Sequence, residues 1–222
     1  VLFRSVMISE LTDVCKRIEQ NKDIRVVVLE GAGTTFCAGG DLNWMKSQIR
    51  NDRPARLDEA RRLAVMLRSL NELRCPLIGV IYGGAFGGGI GLACVCDVAI
   101  AENSAKFGLT EVRLGLIPAT ISPYVVARIG EGKSRQLFMS PKILSADEAL
   151  FFGLIGGHAP KKNMSEKIEA EISSYLIAAP SAVTGSKRLL RSLGLSIDDA
   201  VIEDTINRLA DIWENDEAIQ GI

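Results

Sequence analysis

The sequence predicts an α/β domain, and three observations carry that expectation. Ile24–Leu29 and Leu77–Tyr82 are near-continuous apolar runs rich in β-branched residues, the pattern of strands buried on both faces. Six of the nine residues from Gly83 to Gly91 are glycine, and this cluster joins the second run to another apolar segment, Leu92–Cys96. Most of the remaining chain has helical periodicity, concentrated in the second half.

The elements follow in order. Val6, Met7, Leu11, Val14 and Ile18 have helical spacing, and the strand at 24–29 comes next. Gly31–Thr35 reads as a loop, and Phe36–Asp41 as a second glycine-bearing turn before a short helix. Asn51–Pro54 is polar and is expected to be the most mobile segment. Leu57–Leu73 is periodic through Ala60, Leu63, Leu67 and Leu70, and stops before Pro76. A strand at 77–82, the glycine turn, a helix near 89–95 and a strand at 98–101 follow. Helices are expected at 119–129, 132–139, 145–152, 165–179, 181–193 and 197–214. Strands thus come early and helices late, with no separate linker.

Composition excludes several classes. The 222 residues are 47% hydrophobic with a formal net charge of −1, which suits one core and argues against nucleic acid as the main partner. No apolar stretch reaches the ~18 residues of a membrane span, so no membrane partner is expected. The five cysteines (Cys15, Cys37, Cys75, Cys94, Cys96) are scattered and odd in number, which reads as buried thiols of an intracellular protein. A single histidine, His158, sits in a loop or at a strand end and leaves a histidine-rich metal site without ligands. No metal is expected; Cys94 and Cys96 lack a second ligand pair.

Two glycine motifs are decoys. No three glycines in 83–91 have the G-x-G-x-x-G spacing of a dinucleotide site. Gly130–Ser134 resembles the end of a phosphate-binding loop, but Ala127 stands where the first glycine belongs, and a helix–helix turn is expected there.

The chemistry converges on three places. Two glycine-bearing turns after buried strands can bring two backbone N–H groups to one oxygen, where they stabilise an enolate or a tetrahedral oxyanion. The segment Lys106–Val112 then supplies Glu111, a lone carboxylate among apolar residues at the end of an expected strand. Burial there raises a carboxyl pKa, as general acid–base work requires. Pairing with nearby Arg113 is the plainer alternative.

Taken together, these pieces resemble the enoyl-CoA hydratase/isomerase (crotonase) superfamily. The matching segments are Phe36–Leu42, Pro76–Asp97 with Gly87-Gly88-Gly89, Phe107–Pro118, Ser145–Ala149 with Gly153-Leu154-Ile155, Ala179-Pro180 followed by Lys187, and Trp213–Ala218. The resemblance implies a spiral of ββα turns over residues 1–140 and a C-terminal helical region over 141–222 that assembles homotrimers or hexamers. It implies an N-terminal strand and a C-terminal tail beyond this chain. The substrate would be an acyl-CoA thioester, with coenzyme A part of the substrate and no separate cofactor. The oxyanion donors would be the N–H groups of Ala38 and Gly88, and Glu111 the catalytic carboxylate. Ala38, Gly39, Gly40, Asp41, Leu42, Gly87, Gly91 and Pro118 would line the substrate. The location would be cytoplasmic, or the mitochondrial matrix.

One departure matters. Where many relatives carry a first catalytic glutamate, this chain has Gly91. The wording of 89–92 and 110–123 resembles bacterial methylglutaconyl-CoA hydratase-type members. That favours hydration of a 2-enoyl-CoA, with Gly91 leaving space for a branched or carboxylated substituent at Cβ and Arg113 facing a substrate carboxylate. The alternatives are a Δ3,Δ2-enoyl-CoA isomerase using the same glutamate, and a non-catalytic acyl-CoA-binding relative.

Overall fold

A computed structural model describes all 222 residues. Four parallel strands form the larger sheet: β1 (Val27–Glu30), β2 (Leu77–Ile81), β4 (Val98–Glu102) and β6 (Gly157–Ala159), in spatial order β1-β2-β4-β6. A second parallel pair, β3 (Gly84–Phe86) and β5 (Lys106–Gly108), lies in its own sheet. Single bridges extend that pair, Cys37 to Ala85 on one side and Phe107 to Leu144 on the other.

The register explains the shape. β2 runs straight into β3 and then into helix α4 (Gly88–Val95); β4 runs into β5 and then toward helix α5 (Ser122–Phe138). β2 pairs with β4, and β3 pairs with β5. Each ββα unit therefore stacks on the next, one strand in each sheet, which makes a spiral of parallel connections.

β2 is buried at every position, as its unbroken apolar run requires. Leu77 and Ile81 join the main core beneath α1 (Ser5–Gln20), α3 (Arg53–Asn71), α4 and α5. Ile78 and Val80 point the other way, with Ile100, Ala159 and Met164, under helix α7 (Met164–Leu176). Helices α2 (Leu42–Arg50), α6 (Ala146–Phe152), α8 (Pro180–Leu193), α9 (Asp199–Ile212) and α10 (Asp216–Gly221) complete the chain. No helix is long and apolar enough to cross a membrane.

Several expectations change. The strands do not all come early: β6 lies past residue 140, yet it pairs with β4 in the same sheet. His158 is the middle residue of β6, between Asn103 Oδ1 at 2.8 Å and Asp147 Oδ1 at 3.1 Å. Residues 51–54 form a capped helix start, with the Asp52 carboxylate accepting from the Ala55 N–H at 3.0 Å and Pro54 in the first turn of α3. The two helices expected at 119–139 form one helix, α5, kinked at Gly130 (φ +77°). Lys133, in the loop-like motif, donates to the Phe151 and Phe152 carbonyls at the end of α6. It caps a helix, as a cation at that end should.

Candidate active site

The two glycine turns meet through backbone pairing. The Phe86 N–H donates to the Cys37 carbonyl at 2.9 Å, and the Cys37 N–H to the Gly84 carbonyl at 3.1 Å. Where α4 begins, Gly89 packs directly on Cys37: a Cβ on Gly89 would lie 2.8 Å from the Cys37 oxygen. Close backbone approach is therefore one reason for the glycines.

The second reason is conformation. Gly87 has φ +52° and ψ −119°, which an L side chain rarely adopts. Its N–H donates to the Gly108 carbonyl at 2.9 Å, so the turn is tied to the end of β5. Gly88 then opens α4, and its N–H lies among the helix's unpaired first donors, at the positive end of the dipole.

The tie to Gly108 brings Glu111 over the turn. The chain leaves β5 and enters a short 3-10 turn, Glu111–Leu114. A Cβ on Gly87 would sit 3.1 Å from Glu111 Oε1. The other carboxyl oxygen, Oε2, is shut off from solvent and has no hydrogen-bond partner. Burial pushes the carboxyl pKa up to about 7, against the pull of the nearby N–H groups of Glu111 and Thr110. Glu111 forms no salt bridge. Arg113 is exposed, with its guanidinium 3.5 Å from the Pro141 carbonyl.

The structure separates Ala38 from Gly40. Phe3 pairs in parallel with Gly40: the Phe3 N–H donates to the Gly39 carbonyl at 2.9 Å, and the Asp41 N–H to the Phe3 carbonyl at 3.0 Å. In such a pairing Gly40's own N–H faces away from Phe3, and it donates to no protein acceptor. The Ala38 N–H, in contrast, donates to the Val1 carbonyl at 2.9 Å. The expected donor, Ala38, has its N–H already used in this structure, and the free N–H lies two residues on. The Phe3 ring also touches Gly88, lying 2.4 Å from where a Cβ would be. Phe3 thus links the two turns that carry Gly40 and Gly88.

The remaining expected residues divide. Gly39 (φ +94°) shapes the turn and faces the Phe86 carbonyl. Asp41 caps α2, its carboxylate accepting from Asn43 N at 2.8 Å and Trp44 N at 3.2 Å. Leu42 is exposed and Pro118 is buried. Gly91 is buried and does not leave open space. A Cβ there would lie 2.3 Å from Ile121 Cγ2 and 3.7 Å from Leu67 Cδ2, so the volume expected to hold a branched substituent is filled. Ile121 is the site residue that sequence reasoning missed; it lies in the 110–123 stretch as the N-cap residue of α5, and nothing local marks its contact with Gly91.

The N–H groups of Gly40 and Gly88, neither with a protein acceptor, lie on turns joined by Phe3, and a raised-pKa carboxyl lies over Gly87; groups of these kinds form and reprotonate an enolate. Comparisons with known proteins bear on the fold and the family. An enoyl-CoA hydratase crystal structure from Shewanella pealeana superposes with a TM-score of 0.84 at 35% identity, covering 99% of this chain and 83% of that one. The short-chain-enoyl-CoA hydratase of Clostridium acetobutylicum is 31% identical over 201 residues, 87% of this chain and 74% of its own length. A Δ(3,5)-Δ(2,4)-dienoyl-CoA isomerase from Arabidopsis thaliana peroxisomes is 29% identical over 210 residues, 86% of this chain and 73% of its own length. The fold is the α/β crotonase fold with C-terminal helices. Residues 3–207 match the enoyl-CoA hydratase/isomerase family, and the chain belongs to it.

Proposed function

We propose that this chain hydrates a 2-enoyl-CoA thioester, with Glu111 as the single acid–base group and the N–H groups of Gly40 and Gly88 as the oxyanion hole. The observation that carries this reading is the Glu111 carboxyl, its pKa near 7, set over Gly87 at the mouth of α4 with one oxygen unpartnered.

The thioester oxygen accepts from Gly40 and Gly88. The Glu111 carboxylate takes a proton from water as the water oxygen bonds to Cβ. The π electrons move to the thioester oxygen, giving an enolate that the two N–H groups stabilise. Glu111 returns the proton to Cα, and one water has been added across the double bond. A pKa near neutrality lets one carboxyl act in both directions. Each N–H donor is worth about 2.7–4 kcal/mol in the transition state.

Support for a branched or carboxylated substituent at Cβ weakens, because Ile121 fills the space beside Gly91 and Arg113 stands at the Pro141 carbonyl. A second reading, Δ3,Δ2-isomerisation, draws on the same observation. The apolar wall of Ile121 supplies no second carboxylate, and Glu111 alone could carry a proton from Cα to Cγ. Product analysis separates the two readings: 2-butenoyl-CoA should give 3-hydroxybutanoyl-CoA. Turnover of 3-enoyl-CoAs alone would establish isomerisation and end the hydratase reading.

A further inference from the structure

Gly88 and Gly91 share one face of α4, three residues apart, and Gly87 is the residue that caps its start. Glu111 lies over Gly87, and Gly88 carries a proposed donor, so an acyl chain leaving the thioester along this face meets Ile121 at Gly91, backed by Leu67. Both side chains are buried in the main core.

The same three helices continue past that contact. Cys94 follows Gly91 by three residues, Tyr124 follows Ile121 by three, and Arg68 follows Leu67 directly. These three line a half-open cavity of about 800 Å³, whose charged residues are five cationic (Arg68, Arg128, Lys187, Arg188, Arg191) against three acidic (Glu72, Asp97, Asp198); Lys187 is paired with Asp97 and Arg68 with Glu72. That volume is within the range of small-molecule sites. Tyr124 is 3% exposed, and its hydroxyl has no hydrogen-bond partner. The hydroxyl lies near the Glu72 and Arg68 charges, which also line the cavity. Leu67, Gly91 and Ile121 are not part of the lining; they stand between the glycine turn and this space.

We propose that Ile121, backed by Leu67, is the partition that ends the acyl site, and that the net-positive cavity behind it, with its free Tyr124 hydroxyl, is a closed-off continuation suited to an acyl chain with a terminal carboxylate. The proposal rests on the enoyl-CoA reading of the glycine turn. An Ile-to-Ala change removes the carbons that fill the gap, and a longer chain could then pass between α3, α4 and α5. Its end would reach the unpartnered Tyr124 hydroxyl, where a carboxylate finds a donor and a methyl group gains nothing.

The test is calorimetric binding of saturated butanoyl-, hexanoyl- and octanoyl-CoA and of the mono-CoA thioester of octanedioic acid, beside turnover of the matching 2-enoyl-CoAs. The wild-type protein should prefer butanoyl- to octanoyl-CoA by about 10-fold or more, the discrimination one or a few methylenes can supply. Ile121→Ala should abolish that preference and gain most for the carboxylated chain, and adding Tyr124→Phe should remove the extra gain. Leu67→Ala thins the same wall from α3 and should shift the profile the same way. Equal binding of butanoyl- and octanoyl-CoA by the wild type would overturn the partition, and so would folded Ile121→Ala and Leu67→Ala proteins with the wild-type length profile. No advantage of the carboxylated chain in Ile121→Ala would overturn the role given to the cavity. A shifted binding profile without turnover of any enoyl-CoA would refute the catalytic reading and leave the partition standing. Turnover of 2-butenoyl-CoA with an unshifted profile would do the reverse.

Discussion

At the scale of single residues, Gly40 and Glu111 divide the chemistry between them. If the Gly40 N–H is an oxyanion donor, Gly40→Pro should lower kcat by about 10²–10³-fold, the usual effect of losing one such donor. Gly40→Ala keeps the N–H, and its Cβ meets the flexible Met45 side chain, 3.1 Å away at Sδ, and Trp44 at an ordinary 3.7 Å, so it should stay active. Steady-state kinetics beside a thermal melt distinguishes donor loss from unfolding. A folded Gly40→Pro protein with full activity would remove Gly40 from the site. Glu111 was legible in the sequence because its signal is local: one carboxylate among apolar residues where a strand ends. The choice between Ala38 and Gly40 was not legible. It depends on which N–H groups the Phe3 segment uses, a pairing across more than thirty residues. Ile121 was hidden for the same reason, since its contact with Gly91 joins two helices and leaves no periodic trace.

At the scale of elements, β2 is tied at its first residue. Its Leu77 N–H donates to Asp97 Oδ2 at 2.7 Å, and the same oxygen accepts from Lys187 Nζ of α8 at 2.5 Å. Lys187 is largely buried, and that burial lowers its pKa while Asp97 pulls it back up. Asp97→Ala leaves a buried ammonium and a strand N–H without their acceptor. It should cost about 3 kcal/mol or more, the usual penalty for breaking a buried pair, read as a fall in the urea midpoint at constant slope. A loss below about 0.5 kcal/mol would show the pair to be a surface contact. Long elements with a clear period were read from the sequence to within a few residues: α1, α3, β2 and α7–α9. The two unforeseen strands, β3 and β6, are three residues each and include glycine. Neither length nor composition marks them; they exist because β5 and β4 lie beside them.

At the scale of the whole molecule, the site has a cost in stability. The Glu111 pKa is raised from 4.5 to about 7 by burial, so between those values the folded chain holds a proton that the unfolded chain has lost. Stability from this group therefore falls as pH rises from about 4.5 to about 7 and stays lower above that. Glu111→Gln removes the effect. The variant should melt higher than wild type above pH 7, by an amount equivalent to at most about 3 kcal/mol. The two should converge toward pH 4.5, the ordinary value for this carboxyl. A pH-independent difference in melting temperature would mean that Glu111 is solvated. Trading stability for a poised group is common at functional sites. The spiral itself was predicted through resemblance. Composition and periodicity reached only an α/β domain, because the stacking of one ββα unit on the next is a property of register between distant strands.

The most direct test of the central claim is the rate of 2-butenoyl-CoA hydration by wild type and Glu111→Gln across pH. The wild-type kcat/KM should rise through an apparent pKa near 7 as the carboxylate forms, and Glu111→Gln should lower kcat by about 10²–10⁴-fold while still binding acyl-CoA. A Glu111→Gln protein that hydrates at the wild-type rate with the same pH profile would contradict the assignment of Glu111 as the acid–base group.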